Sequence, residues 1–158
     1  MTASSDERNL TLDQLIGPST LRAQALVAGW EQAVDAVGQL LLSAGKITAA
    51  YIPAMKRVLK EMGPYAVIAP GIVLLHARPE DGVVEPCLGL VTLQQGVAFG
   101  HPANDPVDLV FALGAVDKQA HIAALQALAE KLGQDSFLRA LREASTDAEL
   151  AGVFSESA

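Results

Sequence analysis

The sequence predicts an α/β domain whose sheet lies between layers of helices, and three observations carry that expectation. Apolar runs rich in Val, Ile and Leu recur at 65–69, 72–75, 87–93 and 107–113, with the length and composition of strands. These runs are nearly continuous rather than alternating, as in strands covered on both faces. Before and after them stand segments with apolar residues at three- and four-residue steps, amphipathic helices able to supply the covering layers.

Taken in order, the first helix shows one stripe through Val27, Trp30, Val34, Val37 and Leu41, and Gly45 is placed to end it. In the second, Thr48 is a candidate cap, Tyr51, Met55, Val58, Leu59 and Met62 form the apolar side, and Gly63-Pro64 stops the helix. The segments 79–86 and 100–106 between strands carry the Gly, Pro, Asp and Asn of loops. Asp117 is placed as N-cap of a third helix that carries His121, Leu125, Leu128 and Leu132 on one face and ends at Gly133. A short helix around 137–142 follows, and Thr146 with Glu149 makes a capping box for a last turn or two. No repeat or low-complexity linker divides the 158 residues, so one domain over 10–158 behind a flexible segment 1–9 is expected.

Apolar residues at 51% against 18% charged favour a packed core over disorder. The longest apolar stretch, 65–75, is broken by Pro70 and Gly71 and is too short to span a bilayer. Residues 1–9 are polar and acidic, without the basic start and apolar run of a secretory signal, so a cytoplasmic location is expected. A single cysteine, Cys87, excludes an internal disulfide and a thiolate-rich zinc site. The net charge of −7 weighs against nucleic acid as a ligand and favours a partner with a basic face.

Among the three histidines, His76 follows a strand run and precedes a turn-like segment, a position where a sheet fixes a reactive side chain while a loop leaves it accessible. By position alone, a reactive and a structural histidine are equally good readings. His121 lies on the apolar face of the third helix, where an imidazole needs either internal hydrogen bonds or a functional neighbour such as His76. His101, beside Pro102 in a polar loop, reads as a solvated surface residue. Glu80, Asp81 and Glu85 read as a solvated charged loop. Neither a phosphate-binding glycine loop, nor a G-x-S-x-G elbow, nor paired metal-ligand histidines occur, so no cofactor and no metal are expected.

The stretch Ile68-Ala69-Pro70-Gly71-Ile72-Val73-Leu74-Leu75-His76-Ala77-Arg78-Pro79-Glu80 resembles the phosphohistidine segment of enzyme IIA components of the sugar phosphotransferase system, of the fructose-mannitol type. Within that type the chain most resembles the ascorbate branch, through Gly63-Pro64-Tyr65, His76-Ala77-Arg78-Pro79, Phe99-Gly100, Asn104-Asp105-Pro106-Val107 and Ala115-Val116-Asp117 followed by His121. The resemblance implies a three-layer α/β/α domain with a mixed central sheet, phosphorylated on His76 and supported by His121. Arg78 is a further candidate for stabilising the phosphoryl oxygens, weighed equally against an exposed arginine.

The partners implied are the histidine phosphocarrier protein (HPr) as donor, the cysteine of a separate enzyme IIB as acceptor and, indirectly, a membrane permease (enzyme IIC), with ascorbate or a related carbohydrate as end substrate. A homodimer is left open. The alternative is a regulatory protein of the same fold, whose phosphorylation state is read by a partner. Two positions depart from the family pattern. Leu75 stands where proline usually precedes the phosphorylated histidine, and Val58 stands where the mannitol branch has an active-site arginine.

Overall fold

The computed structural model describes residues 11–157. The expected flexible segment 1–9 lies outside them. A five-stranded sheet is built from β1 (Leu21–Ala25), β2 (Val67–Ala69), β3 (Ile72–Leu75), β4 (Cys87–Val97) and β5 (Val107–Gly114), in the order β1-β4-β5-β3-β2. It is mixed: β1 runs parallel to β4 and β3 parallel to β5, whereas β4 with β5 and β2 with β3 are antiparallel.

Six α-helices among the described residues accompany the sheet: α1 (Leu12–Leu15), α2 (Trp30–Ser43), α3 (Tyr51–Met62), α4 (Lys118–Leu132), α5 (Asp135–Glu143) and α6 (Asp147–Ser157). Side chains on successive strand residues point to opposite faces, and here both faces meet helices. Leu74, Leu90, Leu109 and Phe111 pack with Leu128, Leu141 and Leu150 from α4, α5 and α6. Val73, Leu75, Cys87, Val91 and Val110 pack on the other side with Val34, Val37, Leu41, Tyr51 and Met55 from α2 and α3. This two-sided burial is the physical cause of the continuous apolar runs.

The helix ends follow the local chemistry in most places. Asp117 caps α4 by accepting the Ala120 N–H at 2.7 Å, and Gly63, at φ +77°, ends α3 while donating its N–H to Leu59. Thr48, expected to cap α3, instead lies just outside it. The N-cap is Ala50, with no side-chain cap bond, and Thr48 uses its backbone N–H to hold the Gly82 carbonyl at 2.8 Å.

The sequence expectation has no counterpart of α1, and α2 begins at Trp30, which leaves Val27 of the expected stripe outside the helix; three further elements also differ. β1 is absent from it because an edge strand with only Leu21 buried carries little apolar signal, and Gln24 bends the strand at φ +58°. The first strand run begins with a 3₁₀ turn, Pro64–Ala66, so that β2 starts at Val67. The last helix is 11 residues rather than a turn or two. Leu150 and Phe154 bury one side of it, and the edge-to-face contact of Phe154 with Phe137 at 5.4 Å ties it to α5.

Candidate functional site

Strand direction brings the two candidate histidines together. His76 immediately follows β3, and the parallel neighbour β5 ends at Gly114, from which Ala115 to Asp117 lead into α4. Both strands therefore deliver their C-terminal ends to one edge of the sheet, where His121 stands in the first turn of α4. The ring centroids of His76 and His121 lie 5.4 Å apart at an interplanar angle of 53°. Both residues are half-buried.

The His76 ring is tethered to its own strand, with Nδ1 lying 3.2 Å from the Leu74 carbonyl oxygen. A carbonyl only accepts, so this bond places the proton on Nδ1 and leaves the lone pair on Nε2. His121 is held below its usual pKa of 6.5, first by burial and second by the neighbouring His76. At neutral pH it is an uncharged imidazole, able to donate one hydrogen bond and accept another.

That depression has a consequence for stability. Because the folded pKa lies below 6.5, the unfolded chain takes up this proton more readily. Stability is expected to fall as pH drops from about 6.5 through the lower folded value, and to gain nothing from this group above 6.5. Urea titrations across that window, with His121→Asn beside the wild type, should show a flatter pH dependence in the variant.

An open pocket of about 420 Å3 lies over the pair, lined by Val58, His76, Arg78, Lys118 and His121 among others. A second recess of about 270 Å3 shares Val58, His76 and His121 and runs between Met62, Tyr65, Ile68 and Leu125. Arg78 is exposed at the rim, its backbone N–H bound to the Asp81 carboxylate at 3.0 Å. Two cations and two imidazoles thus surround the opening in a chain of net charge −7, an arrangement that suits an anionic group. Among the described residues no cluster of three or more His, Cys, Asp or Glu side chains could hold a metal ion.

Lys118 is absent from the sequence reading. Its only signal there is its place directly after the cap residue Asp117. His101 stays apart from the site, in the loop that precedes β5 and hence at the other end of that strand. It is not simply solvated: its Nδ1 accepts the N–H groups of Ala103 and Asn104 at 3.1 and 3.0 Å, so its work is to shape the loop. Cys87 is buried in β4 and its thiol is pushed up to about 12, chiefly by burial, which makes it inert as a nucleophile.

Known proteins of similar sequence share this architecture. Residues 15–157 match the family model "Phosphoenolpyruvate-dependent sugar phosphotransferase system, EIIA 2". The chain is 40% identical over 127 residues to the mannitol-specific cryptic phosphotransferase enzyme IIA component of Escherichia coli K12, covering 80% of this chain and 85% of that protein. It is 39% identical over 109 residues to the ascorbate-specific PTS system EIIA component of Salmonella typhi, covering 69% of this chain and 71% of that protein. The solution structure of the mannitol-specific cryptic enzyme IIA of Escherichia coli superposes with a TM-score of 0.82 at 36% identity, over 93% of this chain and 99% of that one. With the family model spanning nearly all of the described fold, the chain belongs to the EIIA 2 family of the phosphoenolpyruvate-dependent sugar phosphotransferase system and is a phosphotransferase component.

Proposed function

We propose that His76 carries the phosphoryl group, taking it from the histidine phosphocarrier protein and passing it to the cysteine of a separate enzyme IIB. The observation that carries this reading is the His76 tether: with Nδ1 donating to Leu74, Nε2 keeps its lone pair beside a cation-rimmed pocket. In the first transfer the Nε2 lone pair forms a bond to phosphorus as the donor's P–N bond breaks and its electron pair returns to the donor ring. In the second, the thiolate of the acceptor forms an S–P bond and the pair returns to Nε2. The reversible N–P bond, rather than tight binding, is what such a carrier requires.

His121, half-buried and neutral, supplies a pre-placed hydrogen-bond donor for the phosphoryl oxygens, and Arg78 and Lys118 supply positive charge at the rim. Val58 leaves α3 without the arginine implied for the mannitol branch, and Arg78 and Lys118 border the same pocket as Val58. Ascorbate or a related carbohydrate is the proposed end substrate, supported by the shared motifs and by the 39% identity to an ascorbate-specific relative.

The direct test is incubation with phosphoenolpyruvate, enzyme I and the phosphocarrier protein, followed by addition of candidate enzyme IIB proteins. Phosphate should appear on this chain and then move to an ascorbate-type enzyme IIB faster than to a mannitol-type one. No phosphate uptake by the wild type would overturn the reading. In the same assay His121→Ala should still accept phosphate, at a rate lowered about 10²-fold, the loss typical of removing one pre-placed donor. Rapid-quench measurement of both transfers checks this.

A further inference from the structure

Tyr51, at the N-terminal end of α3, is fully buried and carries a hydroxyl that the apolar stripe of its helix does not explain. A buried phenol needs partners, and here they lie on both strands of the site. The β3–β5 ladder ends with the pair Leu75 and Ala112. Beyond that end, the N–H of Ala77, two residues past Leu75, donates to the Tyr51 oxygen at 2.9 Å, and the Tyr51 O–H donates to the carbonyl of Leu113, one residue past Ala112, at 2.8 Å. The Ala77 carbonyl, at 3.3 Å, is the longer alternative acceptor.

One hydroxyl therefore replaces the missing rung of the ladder. On one side it grips the residue after His76, and on the other the strand whose continuation carries His121. Burial pushes the phenol up to about 12, so it remains protonated and keeps both roles at neutral pH.

The loop beyond His76 is seated on the same helix end. Thr48 donates its N–H to the Gly82 carbonyl at 2.8 Å, and Gly82 adopts φ +138°. A Cβ added there would lie 3.2 Å from the Tyr51 backbone nitrogen and 3.3 Å from its Cβ. His76 is thus held from behind by its ring bond to Leu74 and from ahead by the Tyr51 bond to Ala77.

We infer that Tyr51 is a positioning residue for phosphoryl transfer: its hydroxyl, bridging Ala77 and Leu113, sets where the His76 ring stands relative to His121. This rests on the reading that His76 carries the phosphoryl group. Tyr51 is buried beneath the pocket and lies outside its lining, so its effect falls on the rate of transfer and not on the docking of partners.

The test compares the wild type with Tyr51→Phe, which keeps the ring and removes the bridge, and with Phe154→Leu, a core change on α6, which adds no residue to the pocket. Two quantities are read: kcat and KM for the phosphorylated phosphocarrier protein, and the tautomer of the His76 ring by ¹⁵N NMR. Tyr51→Phe should lower kcat about tenfold with KM within about twofold, as expected for a misplaced reacting group. Its His76 spectrum should move from the Nδ1-protonated form towards a mixture.

Phe154→Leu should match the wild type in kcat, KM and tautomer. A wild-type kcat and tautomer in Tyr51→Phe, or the same losses in Phe154→Leu, would overturn the inference. If the wild type itself takes no phosphate on His76, the functional reading fails. The tautomer comparison then still decides whether Tyr51 positions the ring, and it does so even if Tyr51→Phe is less stable, provided its backbone spectrum is that of the folded protein.

Discussion

His76→Ala should accept no acid-labile phosphate from the phosphorylated phosphocarrier protein, whereas the wild type should be labelled. The expected loss is complete because, on the proposed reading, His76 forms the covalent bond and no other group lining the pocket is placed to replace it. His121 is a neighbouring imidazole, but its ring is anchored on α4 and lacks the Leu74 tether that fixes the proton on Nδ1 of His76. Arg78 and Lys118 contribute positive charge at the rim rather than an imidazole lone pair aimed into the pocket. The variant should fold normally, since His76 is half-buried and its one described side-chain bond is to its own strand. Labelling from phosphoenolpyruvate, with the circular dichroism spectrum as control, gives the result. Phosphate that persists in the variant and survives alkali but not acid would assign the carrier role to a different nitrogen.

Phe111→Ala should cost about 3–5 kcal/mol of stability, the range for truncating a fully buried aromatic side chain. Phe111 has no exposed surface, and it lies in the middle of β5 between Leu90 of β4 and Leu74 of β3. Its ring packs into the cluster that contains Ala124 and Leu128 of α4. Against a usual domain stability of about 5–15 kcal/mol, such a loss removes a large share. Urea unfolding should show a lower midpoint with little change in slope. Because α4 carries His121 and packs on this cluster, the variant should also transfer phosphate more slowly than its folded fraction alone predicts. His121 stands two turns or less from the residues that lose their packing.

Much of this architecture was legible in the chain because the sheet is buried on both faces. β3 and β5 could be read from continuous apolar runs, and α2 and α4 from stripes at helical spacing, since burial demands those patterns whatever the order of the strands. The capping of α4 by Asp117 was legible for a local reason: a carboxylate three residues before an unpaired N–H needs no distant partner. β1 was not legible. Its pairing with β4, and the bonds from Gln24 to Thr92, Arg142 and Ala144, come from residues about 70 to 120 positions away. Thr48 does not cap α3 for a similar reason: a residue 34 positions later, Gly82, takes its backbone N–H.

The site divides along the same line. The place of His76 at the end of a buried strand, that of His121 on the apolar face of a capped helix, and the enzyme IIA motifs around them can all be read along the chain. These are properties of contiguous residues and of their spacing. The 5.4 Å separation of the two imidazoles, the meeting of Lys118 with Arg78 at the rim, and the span of the Tyr51 hydroxyl from Ala77 to Leu113 arise from the fold. The parallel pairing of β3 with β5 carries two ends far apart in the chain to one edge of the sheet, and beyond the last rung the Tyr51 hydroxyl bridges Ala77 and Leu113.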